Sequence, residues 1–201
     1  MAKGENSLII ATKNQGKIQE ISELLHNIPF SLLSLTDIQP SIALPEETGT
    51  TYEENALIKA KAVAEQTGIL TIADDSGMEV DALPGQWGVR SARQFSGSNE
   101  ERNQYILEQL KDQENRKAKY VCVAVVYDPK KHSYKSFTGE LFGEIAQQVQ
   151  GEGGFGFDPI FIPFGYQETF GKLGTMIKNT ISHRAHAFQA VATYLEQLGK
   201  E

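Results

Sequence analysis

"IIATKNQGKIQEISELL", residues 9–25, changes period in its middle. The apolar run of Ile9 and Ile10 stops at a short polar loop carrying Thr12, Asn14, Gly16 and Lys17, after which Ile18, Ile21, Leu24, Leu25 and Ile28 recur at helical spacing. The stretch reads as strand, loop, helix. Hydroxyl, amide and ammonium groups beside a helix N-terminus are what a phosphate group requires, since the unpaired N–H groups and the macrodipole there favour an anion. An ordinary N-cap would use the same residue types, so the loop alone does not choose between the two.

Working outward, periodicity and chain breakers place strands over residues 7–12, 30–35, 69–73, 120–127, 133–139 and 160–162, with a further strand over 141–146. Helices are expected over 16–26, 52–66, 99–111 and 182–198. The first half alternates strand and helix, whereas residues 120–146 read as consecutive antiparallel strands turning at "DPKKH"; together they imply a mixed sheet. No internal repeat, low-complexity tract or Pro/Gly/Ser-rich linker divides the chain, so residues 1–201 read as a single α/β domain.

At 201 residues, 40% hydrophobic and 22% charged, the chain suits one globular domain or two closely joined lobes. A chain of that size buries roughly 70% of its unfolded surface. A formal net charge of −7 argues against broad capture of nucleic acid or anionic membrane, so any polyanionic ligand must meet a local basic cluster. The longest apolar run, "VCVAVVY" (residues 121–127), is far too short to span a bilayer, and the N-terminal run is too short for a signal peptide. A soluble cytoplasmic protein is expected. Cys122, the single cysteine, lies inside the apolar run and reads as a small core residue.

Four polar clusters interrupt the pattern. The opening loop is the first. In "PEETGTTYEENALIKAKAVAEQTG", Ala56, Leu57, Ala60, Val63 and Ala64 form the apolar stripe of a helix, while Asn55 and Lys59 share its edge; Glu46 and Glu47 precede it as acidic loop residues or metal ligands. In "LTIADDSGMEVDALPGQWGVRSARQFSG", a β-type run delivers Asp74 and Asp75 at its C-terminal end, where α/β sheets open their ligand crevice. Adjacent carboxylates repel unless solvated or neutralised, and Mg2+ suits one or two carboxylates plus substrate phosphates. The segment after them, with Trp87, Arg90 and Arg93, reads as a structured loop.

In the fourth cluster Gly151, Gly153 and Gly156 satisfy G-x-G-x-x-G, but Pro159 and "IFI" follow where a dinucleotide fingerprint needs a helix; "GYQETFGK" likewise lacks P-loop spacing. What remains is a glycine-rich backbone presenting Phe155, Phe157 and Asp158, suited to stacking a planar ring and accepting hydrogen bonds from its edge. Ser182 caps a helix whose apolar face is Ile181, Ala185, Phe188, Val191, Ala192 and Leu195. His183 and Arg184 stand in its first turn, where positive charge is unfavourable without an electron-rich partner.

Read together, "ATKNQGK", "EETGTTYEENALIKA", "IADDSGMEVDALPGQWGVRSAR", "GGFGFDPIF" and "ISHR", in this order over nearly the whole chain, resemble the inosine triphosphate pyrophosphatase family, the Ham1-like non-canonical purine nucleoside triphosphate pyrophosphatases. The resemblance implies a two-lobed mixed-sheet α/β fold with its active-site cleft between the lobes, usually as a homodimer. It implies Mg2+-dependent hydrolysis of ITP, dITP and XTP to monophosphate and pyrophosphate. Residue by residue, Thr12, Lys13, Asn14, Gln15, Gly16 and Lys17 would hold phosphates, Asp75 would be the catalytic carboxylate and a metal ligand, and Glu46 the other metal carboxylate. Ser76, Asn55 and Lys59 match substrate-binding positions, Phe155, Gly156, Phe157 and Asp158 the nucleotide-binding loop, and Lys178, His183 and Arg184 the base-pocket cations. Phe157 departs from the hydroxylated or larger aromatic usual there, and "FGKLGTMIKN" lacks the acidic residues common before the lysine. A Maf-type nucleotide pyrophosphatase would share the strand-loop-helix opening without "GGFGFDP" and "SHR", and a nucleotide-sensing module without turnover would not need Asp75 together with Lys17.

Overall fold

A computed structural model describes residues 6–89 and 95–200. Its strands are β1 (Ser7–Ile10), β2 (Ser31–Ser34), β3 (Leu70–Val80), β4 (Lys117–Asp128), β5 (Ser133–Ile145) and β6 (Phe161–Pro163). Its helices are α1 (Gln15–Leu24), α2 (Tyr52–Thr67), α3 (Asn99–Gln109), α4 (Phe170–Ile181) and α5 (His183–Leu198). The sheet runs β2-β1-β3-β4-β5-β6. It is mixed, as expected: β1 pairs in parallel with β2 and β3, and β5 pairs antiparallel with β6. Among the described residues no helix is long and apolar enough to cross a membrane.

The chain divides into two compact units, the first comprising Met1–Asp75, Cys122–Gly139 and His186–Glu201. Its sheet shows the period of two that strands impose. Leu8, Ile10, Ile72, Cys122, Ala124 and Val126 turn to one face, where they meet Ile21 and Leu25 beside α1 and Phe188, Val191 and Leu195 of α5. Ile9, Ala11, Ala73, Val125 and Tyr127 turn to the other, against Ala56, Ala60, Val63 and Ala64 of α2. Small residues let α2 lie close to the strands, and Leu57 sits at the margin of that stripe. Thr51 and Glu54 form a capping box at the start of α2, and Gly68 ends it in the left-handed conformation (φ 68). Cys122 is fully buried, in keeping with its apolar setting.

The second unit comprises Ser76–Val121 and Glu140–Ala185. Met78, Val80, Tyr120, Ile145, Phe161 and Phe170 close its core with Ile106 and Leu110 at the α3 end. Buried Arg116 donates to the carbonyls of Leu110, Ile145 and Ala146 at 2.7, 2.7 and 2.6 Å, tying the end of α3 to the end of β5. Its charge is met by carbonyl dipoles.

Three expectations change. β3 continues to Val80, so Asp74 and Asp75 lie inside the strand and not at its end. The reason is that β1 stops pairing at Ile10–Ile72, while β4 continues along the other edge as far as the Asp81 N–H to Lys117 carbonyl bond. The strands expected over 133–139 and 141–146 are one, β5, which passes through Gly139 unbroken. Helix α4 has no counterpart in the periodicity: Gly171 and Gly174 erase its pattern, and Gly174 (φ 79, ψ 171) kinks it. Arg90 and Arg93 lie outside the described residues, whereas Trp87 beside them is buried in the second core.

Candidate functional site

In the first unit the opening loop caps α1. Thr12 Oγ1 accepts from the Asn14 N–H at 3.2 Å, and Asn14 Oδ1 caps α1 by accepting from the Lys17 N–H at 3.1 Å. Lys13, Asn14 and Gln15 are exposed, Gly16 and Lys17 half-buried. The Lys17 ammonium reaches forward to Asp74 Oδ2 at 3.0 Å, beyond the end of β1. Asp74 is 1% exposed, and the ion pair offsets part of the cost of burying its charge.

Helix α2 supplies the other half of this cluster. Lys59 donates to the Asp74 carbonyl at 2.8 Å and pairs with Glu47. Asn55 has its amide oriented by the Gly49 N–H, which donates to Oδ1 at 2.8 Å, leaving Nδ2 to donate to Asp75 Oδ2 at 2.9 Å. The i, i+4 spacing of Asn55 and Lys59 is what places both at Asp74–Asp75. Burial raises the Asp75 carboxyl above the usual range, an effect that Lys59, Asn55 and Lys17 oppose and Glu47 reinforces. A carboxylate so placed accepts a proton readily or accepts a cation.

Glu46, to which the resemblance gives the second metal carboxylate, is exposed; its neighbour Glu47 turns toward Lys59 and acts on Asp75. Asp74, Asp75 and Glu47 set three carboxylates against the ammonium groups of Lys17 and Lys59. That donor set fits a hard divalent cation that takes one or two carboxylates and completes its shell with phosphate oxygens and water. Among the described residues no group of three or more His, Cys, Asp or Glu is arranged to hold a metal ion by itself, so such a cation would rest on one or two of these carboxylates.

The second unit gathers the other expected residues. Asp158 is buried in an ion pair with Lys178, and its Oδ2 also accepts from the Phe155 N–H at 2.8 Å. Gly154 (φ 74) makes that turn possible, because a Cβ there would overlap the Asp158 carboxylate. Phe155 is half-buried, with the Lys178 ammonium 4.3 Å and the Arg184 guanidinium 5.8 Å from its ring centroid. Phe157 faces the core instead, edge-on to Trp87 at 6.0 Å and beneath the Arg102 guanidinium at 4.2 Å. Of the two aromatics expected to stack a base, Phe157 is taken up by core packing, whereas Phe155 stays half-buried.

Ser182 caps α5 through a bond from the Ala185 N–H to its Oγ at 3.0 Å. Arg184, 2% exposed, donates to Ser76 Oγ at 2.9 Å, and His183 stacks on Tyr120. Two residues escaped sequence reasoning. Asn103 of α3 donates to the Gly156 carbonyl at 2.9 Å, pinning the glycine loop, and Tyr120 touches both His183 and Asp158. A tyrosine in an otherwise apolar strand was the available signal, since its buried hydroxyl needs a partner.

Lys17 carries a first testable consequence. Lys17→Ala should weaken tripolyphosphate binding by roughly 10- to 100-fold, the loss of one charge-assisted contact, while leaving inosine affinity unchanged. Calorimetric titration of both compounds separates the outcomes; equal losses would move Lys17 away from phosphate.

The model of the Ham1 family matches residues 8–194. A dITP/XTP pyrophosphatase of Dictyoglomus thermophilum is 45% identical over 193 residues, covering 94% of each chain, and one of Deinococcus deserti is 43% identical, covering 92% of this chain and 86% of that one. Solved structures of a HAM1 protein from Coxiella burnetii and of the Staphylococcus aureus Ham1 protein are each 36% identical with TM-scores of 0.84, covering 96% of this chain and 99% and 100% of theirs. With a family match spanning nearly its whole length and relatives this similar, the chain belongs to the Ham1 family.

Proposed function

We propose that the chain is a Mg2+-dependent nucleoside triphosphate pyrophosphatase that hydrolyses ITP, dITP and XTP to the monophosphate and pyrophosphate, clearing them from the cytoplasmic nucleotide pool. The observation that carries this reading is Asp75, a buried carboxylate whose affinity for a proton is raised, set among Lys17, Lys59 and Asn55. The names of the relatives, dITP/XTP pyrophosphatases, point to the same chemistry. A homodimer is part of the proposal on the family resemblance alone.

The residues divide the work. Lys17 and the N–H groups at the start of α1 bind phosphate oxygens and offset charge as it develops on the leaving pyrophosphate. Asp75 takes the proton from the water that attacks the α-phosphorus; the bond from that phosphorus to the bridging oxygen breaks, and pyrophosphate departs. Lys59 and Asn55 keep Asp75 oriented. Asp75 and Glu47 would hold Mg2+, which when bound neutralises phosphate charge. Phe155 stacks the purine, with Asp158 as acceptor and Lys178, His183 and Arg184 as donors for its edge.

That edge sets the test. Hypoxanthine presents an acceptor oxygen at C6 and a donor at N1, adenine the reverse, so adenine leaves buried donors facing a donor. Each such mismatch costs on the order of 1–3 kcal/mol, and two of them give a preference of ~100-fold or more in kcat/KM for ITP over ATP. Pyrophosphate release measured with both nucleotides and Mg2+ decides it. Equal efficiency would defeat the base assignment, and absence of turnover on ITP would leave the chain a nucleotide-binding module.

A further inference from the structure

Tyr120 enters the second unit from β4, where an aromatic side chain among apolar neighbours is ordinarily core. Two of its contacts do more than fill space. Its ring lies parallel to the His183 imidazole, centroids 4.3 Å apart and planes 4° from coincidence. Its hydroxyl donates to Asp158 Oδ1 at 3.4 Å, while the other oxygen of that carboxylate takes the Phe155 N–H and the Lys178 ammonium.

Each contact removes one rotation. Whichever nitrogen of His183 carries the proton, its N–H lies in the ring plane, so a parallel partner that fixes the plane confines donation to that plane. A carboxylate held at one oxygen can still turn about its final torsion; held at both, it presents its lone pairs in one direction. Phe161, at 4.5 Å, holds the Tyr120 ring from another side.

We infer that Tyr120 is a specificity-setting positioning residue, aligning a donor on His183 and an acceptor on Asp158 so that an oxopurine edge is matched and an aminopurine edge is refused. The inference rests on the reading of the second unit as the base site. Discrimination between ITP and ATP requires donor and acceptor to keep their directions, because a side chain free to turn away spares adenine much of its mismatch.

Two variants separate the contacts. Tyr120→Phe keeps the stacked ring and loses the hydroxyl, and the ITP:ATP ratio of kcat/KM should fall about 3- to 10-fold. Tyr120→Leu loses both, and the ratio should fall about 30- to 100-fold, chiefly through a higher KM for ITP. Affinity for tripolyphosphate with Mg2+ should stay within about twofold of wild type in both, since the groups proposed for phosphate belong to other residues. An unchanged ratio in both variants overturns the role of Tyr120, as does a parallel fall for ITP and ATP, the mark of a merely structural residue. Should the leucine variant fail to fold, the phenylalanine variant alone decides. A wild-type enzyme with no preference for ITP overturns the base-site reading itself, and is recognised before any variant is made.

Discussion

Asp75→Asn should lower kcat on ITP by on the order of 10³-fold or more and leave the protein at least as stable as wild type. The substitution keeps shape, and its side-chain oxygen can still accept from Asn55 Nδ2. What it removes is charge and proton affinity, the two properties that the proposed function asks of Asp75 as base and as metal carboxylate; loss of general base catalysis alone is worth roughly 10²- to 10⁴-fold. Stability moves the other way because burial disfavours the ionised carboxylate in the fold, where its proton affinity lies above the usual range. Pyrophosphate-release kinetics with saturating Mg2+, beside calorimetric unfolding, tests both halves. A variant within about tenfold of wild-type kcat would remove Asp75 from the chemistry, and one that unfolded readily would make it a structural residue.

The contrast between Asp75 and its neighbours explains how far the sequence could be read. Loop 12–17 and the Asn55–Lys59 pair were legible because their signals are local: a change of period, an N-cap, a spacing of four on a helix. The strand carrying Asp74 and Asp75 was legible in kind but not in extent. Its continuation to Val80 depends on pairing with β4, some forty residues away, and nothing near Ser76 announces that partner. Helix α4 was hidden for the opposite reason, since glycines at 171 and 174 weaken the local signal while packing of Phe170 against Phe161 and the rest of the second core supplies the stability. The same logic separates Glu46 from Glu47. Two adjacent glutamates are equivalent in a motif, and only the backbone direction of the loop decides which one meets Lys59. Phe155 and Phe157 differ likewise: the motif names both, but the loop leaves one half-buried beneath Lys178 and spends the other on Trp87 and Tyr120.

The Lys178–Asp158 pair yields the second large effect. Both side chains are almost wholly buried, at 4% and 1% exposure, so removing one partner strands the charge of the other. Lys178→Met should therefore destabilise the protein by about 3–5 kcal/mol, and Asp158→Asn by a comparable amount. Combining them should restore stability to within about 1–2 kcal/mol of wild type, because a buried ion pair replaced by neutral groups of similar volume is often neutral or better. The amide oxygen that Asp158→Asn introduces can still accept from the Phe155 N–H, so the turn at Gly154 need not be lost with the charge. Urea unfolding of the four proteins in the cycle gives the coupling directly; a single Lys178→Met variant within ~1 kcal/mol of wild type would mean that the Asp158 charge is neutralised by other means. Activity should not follow stability. The stable double variant keeps neither the ammonium donor nor the carboxylate acceptor, so its ITP:ATP preference should collapse toward unity even as its fold recovers. That outcome would place the reason for a buried charge pair at this point of the second unit in recognition of the base, since the fold can do without it.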